Sequence, residues 1–188
     1  VQAKFCTGWK NGNGFALLLD AGIHMIDLLR FLMGEIVEVA CQKCEIEATH
    51  ISYALALRFA GGAVGSLLIS DDHLWTRVNE RVEVTGRGQF IVAENLVQLA
   101  HYHPSGEISA WEPGFSIPND ENLSYFLEGY AGELQAFAEM VAGRIALSSG
   151  LTDACEDLRL IRAIEPSETY SKGPQSFEHW ASESRWLQ

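Results

Sequence analysis

Phe15-Ala16-Leu17-Leu18-Leu19-Asp20-Ala21-Gly22-Ile23-His24-Met25-Ile26-Asp27-Leu28-Leu29-Arg30-Phe31-Leu32-Met33-Gly34 is almost continuously apolar and built from good helix formers. The loop signal Asn11-Gly12-Asn13-Gly14 precedes it, and Gly34 follows where a helix ends in a left-handed residue. The pattern predicts one long, mostly buried helix over 15–33, interrupted only by Asp20, His24, Asp27 and Arg30. At ~100° per residue the two aspartates and the histidine fall at about 0°, 40° and −20°, so they share one narrow face. A carboxylate one turn from an imidazole can hold its tautomer, as a general acid–base histidine requires. In the blander alternative Asp20 and His24 satisfy each other or cap neighbouring backbone, while Asp27 pairs with Arg30 on the surface.

Outward from this helix the periodicity changes from helical to alternating. Residues 1–5 already alternate like a strand and carry no initiator Met, as expected of a piece of a longer polypeptide. Strand-like runs follow at 36–44, 52–59, 63–70 and 77–85, with turns at Gly61-Gly62 and Gly86-Arg87-Gly88, and a return over 90–100. This is a sheet of antiparallel hairpins, not the strand–helix–strand order of a doubly wound fold. Residues 104–122 read as irregular, and helical spacing resumes over 123–144 and 152–164, the latter with Thr152 as its N-cap candidate. The predicted class is α+β: a mostly antiparallel open sheet with helices on one face. One domain spans 1–173, and a tail over 174–188 carries Phe177, Trp180 and Trp186 as a strap over the body.

Composition narrows the partners. The 188 residues hold 25 acidic and 13 basic side chains, a net charge of −12, with no clustered Lys/Arg stripe. Nucleic acid and anionic membranes both need a positive footprint and are poor partners. Apolar runs fall short of the ~18–20 residues that cross a bilayer, and the opening residues do not show a charged n-region followed by an apolar h-region. Cys6, Cys41, Cys44 and Cys155 are too few for a disulfide framework and suit reduced thiols in a cytoplasm. Cys41 and Cys44 have half a zinc-knuckle spacing, but alternation along a strand sends them to opposite faces. No metal is expected.

The stretch from Asp20 to Gly34 resembles the D-x-G-x-H-x-x-D-x-x-x-x-x-x-G signature of the glucose–fructose oxidoreductase/inositol dehydrogenase/rhizopine catabolism (Gfo/Idh/MocA) family, in its C-terminal domain. Phe59-Ala60-Gly61-Gly62-Ala63-Val64-Gly65-Ser66-Leu67, Glu83-Val84-Thr85-Gly86-Arg87-Gly88 and Tyr130-Ala131-Gly132-Glu133-Leu134-Gln135-Ala136-Phe137 resemble later segments of that domain in order and spacing. The resemblance implies a substrate-binding and oligomer-forming domain of an NAD- or NADP-dependent sugar, inositol or polyol dehydrogenase. In it His24 takes the substrate hydroxyl proton and Asp20 orients substrate or imidazole. Asp27, His73, Trp75, Trp111 and Tyr130 are the substrate-side candidates. The family's lysine, in a Glu-Lys-Pro motif, belongs to a preceding domain; neither that motif nor a strand-linked G-x-G-x-x-G occurs here. The nicotinamide nucleotide is therefore expected in the complete protein and not on this chain alone, which should not turn over. A homodimer or homotetramer through the open sheet face completes the expectation.

Two other readings use the same residues. A stand-alone dimerisation or sugar-binding module would keep the fold without chemistry. A metal-dependent hydrolase would use His24, His101 and His103. Trp111 and Tyr130 could simply pack, and Tyr53, Leu55, Leu57 and Phe59 could form a flat apolar face open to association.

Overall fold

The computed structural model describes residues 1–9, 13–46, 50–74, 79–95, 97–112, 129–146 and 150–164. Among the described residues eight strands form one sheet: β1 (Gln2–Cys6), β2 (Ile36–Ile46), β3 (His50–Phe59), β4 (Val64–Ser70), β5 (Asn79–Gly86), β6 (Gln89–Glu94), β7 (Gln98–Tyr102) and β8 (Ile108–Trp111). Their order is β2-β3-β4-β1-β5-β6-β7-β8. β1 lies parallel to β4 and antiparallel to β5, and every other neighbouring pair is antiparallel. The sheet is thus α+β and mostly antiparallel, as the pattern predicts, with one parallel seam that local alternation does not encode.

A single helical rod crosses it, made of α1 (Gly14–Leu17), a π-helical turn (Leu18–Gly22) and α2 (Ile23–Met33). Further along are α3 (Tyr130–Val141) and α4 (Leu151–Ile164). The rod packs over β3, β4 and β1, while α4 packs against α2 and β2. Buried Leu17, Leu18, Ala21, Met25, Ile26 and Leu29 meet Tyr53, Leu55, Leu57, Phe59, Leu67, Ile69, Ala3 and Phe5 from the sheet. The alternating apolar residues of β3 therefore face the helices, which corrects the idea that they make an open association face. That open face carries Ala54, Ala56 and Arg58 instead, across from Ala40, Ser66 and Leu68.

Several sequence boundaries move. The run read over 90–100 divides into β6 and β7, because Asn95 takes a left-handed φ of +49° and turns the chain. β8, carrying Trp111, lies inside the segment expected to be irregular. Thr152 lies inside α4, not at its cap: the Asp153 carboxylate accepts the Gly150 N–H at 3.0 Å. Cys41 is buried and Cys44 exposed, on opposite faces as alternation requires. The tail and the start of the helix expected from residue 123 lie outside the described residues.

Candidate functional site

The rod begins where the Asn13 side-chain oxygen accepts the Ala16 N–H at 2.8 Å. Two glycines let it approach the sheet. A Cβ on Gly14 would lie 1.9 Å from the Tyr53 hydroxyl, and one on Gly22 would lie 3.1 Å from Ile69 Cδ1. The glycine in the D-x-G-x-H pattern thus brings the rod close to β4, against the movable end of Ile69, whereas Gly14 leaves no room for a side chain at all.

Asp20 sits in the π-helical turn and His24 in the first turn of α2. Such a turn holds an extra residue per revolution and recurs at functional positions in helices. It also invalidates regular 100° spacing between Asp20 and His24, and nothing in the local sequence announces it. Asp20, His24 and Asp27 are all exposed, because Leu17, Leu18, Ala21, Met25, Ile26 and Leu29 take the sheet-facing side. The expectation of a mostly buried helix needs correction on this side: the polar stripe faces outward and is under no obligation to pair internally. Among the described residues, none makes a side-chain hydrogen bond or ion pair with the Asp20 carboxylate or the His24 imidazole.

Apolar groups border the stripe. Phe15 and Leu19 precede Asp20, each 36% exposed, and Phe31, one turn beyond Asp27, is 83% exposed. Trp9, after β1, is also half exposed. Carboxylates and an imidazole flanked by open aromatic surface can stack and hydrogen-bond a polyhydroxylated ring once a second wall covers them.

Asp27 does not pair with Arg30. The Arg30 guanidinium is buried and donates to Asp157 Oδ1 at 2.6 Å, to the Asp153 carbonyl at 3.1 Å, and to both Glu35 carboxylate oxygens at 2.8 and 3.2 Å. Glu35 and Asp157 together hold Arg30 well above its ordinary basicity. Burial pushes the Asp157 carboxyl up more strongly than Arg30 pulls it down, and Asp27 and Asp153 add to the upward push. Asp27 thereby borders the joint that fixes α2 to α4.

The other candidates are scattered. His73 is exposed on the loop after β4, and Trp75 lies outside the described residues. Trp111 is 52% exposed on β8, the edge strand, four strands from β1 and so ~19 Å away across the sheet. Tyr130 opens α3 at 53% exposure. His101 on β7 and His103 just past its end have ring centroids 3.7 Å apart, and their Nε2 atoms contact Gln89 at 2.9 Å and Ser109 at 2.8 Å. They lie three strands from β1, whereas His24 rides over β1–β4, so the structure does not gather the three histidines of the hydrolase reading. Among the described residues no group of three or more His, Cys, Asp or Glu could hold a metal.

A further buried carboxylate, Asp71, lies outside the motifs the sequence shows. Asp71, 1% exposed just past β4, accepts the Ile51 N–H through Oδ1 at 2.6 Å, while Oδ2 is buried with no hydrogen-bond partner among the described residues. The only signal in the sequence is its place in Ser70-Asp71-Asp72, just past an apolar strand.

A doubly wound dinucleotide-binding topology is not seen among the described elements. The sole parallel pair among the described strands is β1–β4, and the helix after β1 has its first turn capped by Asn13, not left open for a pyrophosphate.

The described residues form an open mixed sheet with helices on one side, and the outermost helical face carries Asp20, His24 and Asp27. The chain belongs to the Gfo/Idh/MocA oxidoreductase family: residues 1–172 match its C-terminal α/β domain. A dehydrogenase from Chromobacterium violaceum superposes with a TM-score of 0.73 at 19% identity, over 87% of this chain and 51% of that one. UDP-N-acetylglucosamine 3-dehydrogenase from Acidithiobacillus ferrooxidans gives 0.69 at 17% identity, over 87% and 51%. Levoglucosan dehydrogenase in complex with NADH and L-sorbose gives 0.69 at 17%, over 87% and 54%. At these identities the likeness establishes the fold. The chain spans about half the length of these structures. No curated protein sequence matches it. No helix among the described residues is long and apolar enough to cross a membrane.

Proposed function

We propose that this chain is the substrate-binding and oligomerisation domain of an NAD- or NADP-dependent dehydrogenase acting on a sugar, inositol or related polyol. His24 accepts the proton of the hydroxyl being oxidised, and Asp20 orients the imidazole or the substrate. Asp27 and His73 supply further hydrogen-bonding groups on the substrate side. The nucleotide belongs to another domain, so the chain alone is inactive. The carrying observation is the outward Asp20–His24 face bordered by Phe15, Leu19 and Phe31, in a family whose solved relatives include sugar dehydrogenases. The exposed, small-residue open face of β2–β4, with Ala40, Ala54, Ala56 and Ser66, supports self-association into a dimer or tetramer.

The test is nicotinamide reduction over a panel of hexoses, inositols and amino sugars. It is run on the 188-residue chain and on the polypeptide that joins it to a nucleotide-binding domain. Turnover of at least one polyol by the joined polypeptide, and none by the chain alone, is the expected result. A joined polypeptide that binds nicotinamide nucleotide yet oxidises nothing in the panel contradicts the reading.

A further inference from the structure

Helix α3 (Tyr130–Val141) has no buried residue. Its Leu134, Phe137 and Val141 are 70%, 59% and 72% exposed. They recur at i, i+3 and i+7, and Tyr130, four residues before Leu134, extends the same line. That 4-3-4 spacing is a helix seam built to be covered. Twelve residues with no fully buried side chain make a marginal helix in water, so its stability calls for a partner along the Leu134–Phe137–Val141 line.

Size selects the partner. A helix of this length is ~18 Å long, and one face of it offers a few hundred Å². Separate chains need about 800 Å² each to associate stably. Contact between domains of one polypeptide is sustained by less, down to roughly 600 Å² in total, because the covalent link supplies the effective concentration. The solved relatives place 45–49% of their length outside the part this chain covers, enough for such a domain.

We infer that the Leu134–Phe137–Val141 face of α3 is the docking surface for a nucleotide-binding domain joined to this chain. This rests on the proposed function only for the identity of that domain. Docking there orders α3 and fixes the second wall relative to the helical layer.

Amide hydrogen exchange tests it, on the chain alone and on the joined polypeptide. In the chain alone, α3 amides should exchange within about tenfold of unfolded-peptide rates. In the joined polypeptide they should slow at least ~100-fold. The double substitution Leu134→Glu/Phe137→Glu should abolish that slowing without changing exchange in β3 and β4, whereas Gln135→Glu, off the stripe, should leave it intact. Equal exchange in both polypeptides overturns the inference. So does protection in the chain alone, whether concentration-dependent, meaning a second copy covers the stripe, or concentration-independent, meaning the chain covers it itself. Protection by a joined domain that supports no polyol oxidation leaves the docking surface standing and removes the proposed function instead.

Discussion

The Arg30 guanidinium reaches across from α2 to the Asp157 carboxylate on α4 at 2.6 Å, with both side chains almost wholly buried. This pair, reinforced by the Asp153 carbonyl and by Glu35, bolts the stripe-bearing helix to its neighbour. A buried guanidinium and carboxylate lose hydration that only their mutual geometry restores, so removing one partner is costly.

Arg30→Ala should therefore destabilise the domain by about 3–5 kcal/mol at neutral pH, measured by urea denaturation. The loss should shrink on acidification. Burial already raises the Asp157 carboxyl, and without Arg30 its downward pull is gone. A group whose folded value lies above its unfolded one favours folding below the unfolded value and loses that contribution as pH rises through the folded value. A loss that stays constant between pH 7 and pH 5 would show that Asp157 is not the group left stranded.

Glu80 offers a second pH-dependent test. It is 7% exposed on β5 opposite Phe5, its backbone is bonded to Asn95, and burial pushes its carboxyl up. By the same sign rule, its ionisation weakens the fold as pH rises from the ordinary carboxylate range through its raised value. Glu80→Gln should be more stable than the parent at pH 7, on the order of 1 kcal/mol, and indistinguishable from it near pH 4. A less stable Gln variant at pH 7 would mean that the carboxylate is held by contacts favouring its charge.

Rod seating gives a third comparison. Gly14→Ala drives a Cβ into the rigid, fully buried Tyr53 hydroxyl, whereas Gly22→Ala meets only the flexible ends of Ile69 and Leu18. The first should cost about 1–3 kcal/mol and the second clearly less. Thermal unfolding of the two variants in parallel distinguishes them, and a reversed order would contradict the packing described.

Much of this arrangement is legible in the sequence, for identifiable reasons. Alternation at Tyr53, Leu55, Leu57 and Phe59 places β3, and the two-glycine turn at Gly61-Gly62 joins it to β4. The parallel β1–β4 contact is not legible, because pairing between strands distant in sequence leaves no local period. β8 escapes for a different reason: its four residues, all exposed, sit among turn formers. The stripe at Asp20, His24 and Asp27 is visible as three polar positions. Its outward direction is hidden by Phe15, Leu19, Phe31 and Leu32, which are apolar yet exposed and so mimic a helix buried all round. The burial of Arg30 is equally hidden, since its partner Asp157 lies 127 residues away.

The central claim is that His24 handles the proton in polyol oxidation. Its most direct test is the turnover of the His24→Ala variant in the polypeptide that joins this chain to its nucleotide-binding domain, with folding checked by circular dichroism. A loss of about 10²–10⁴-fold in kcat with nucleotide affinity unchanged is predicted. Wild-type turnover in that variant would contradict the assignment.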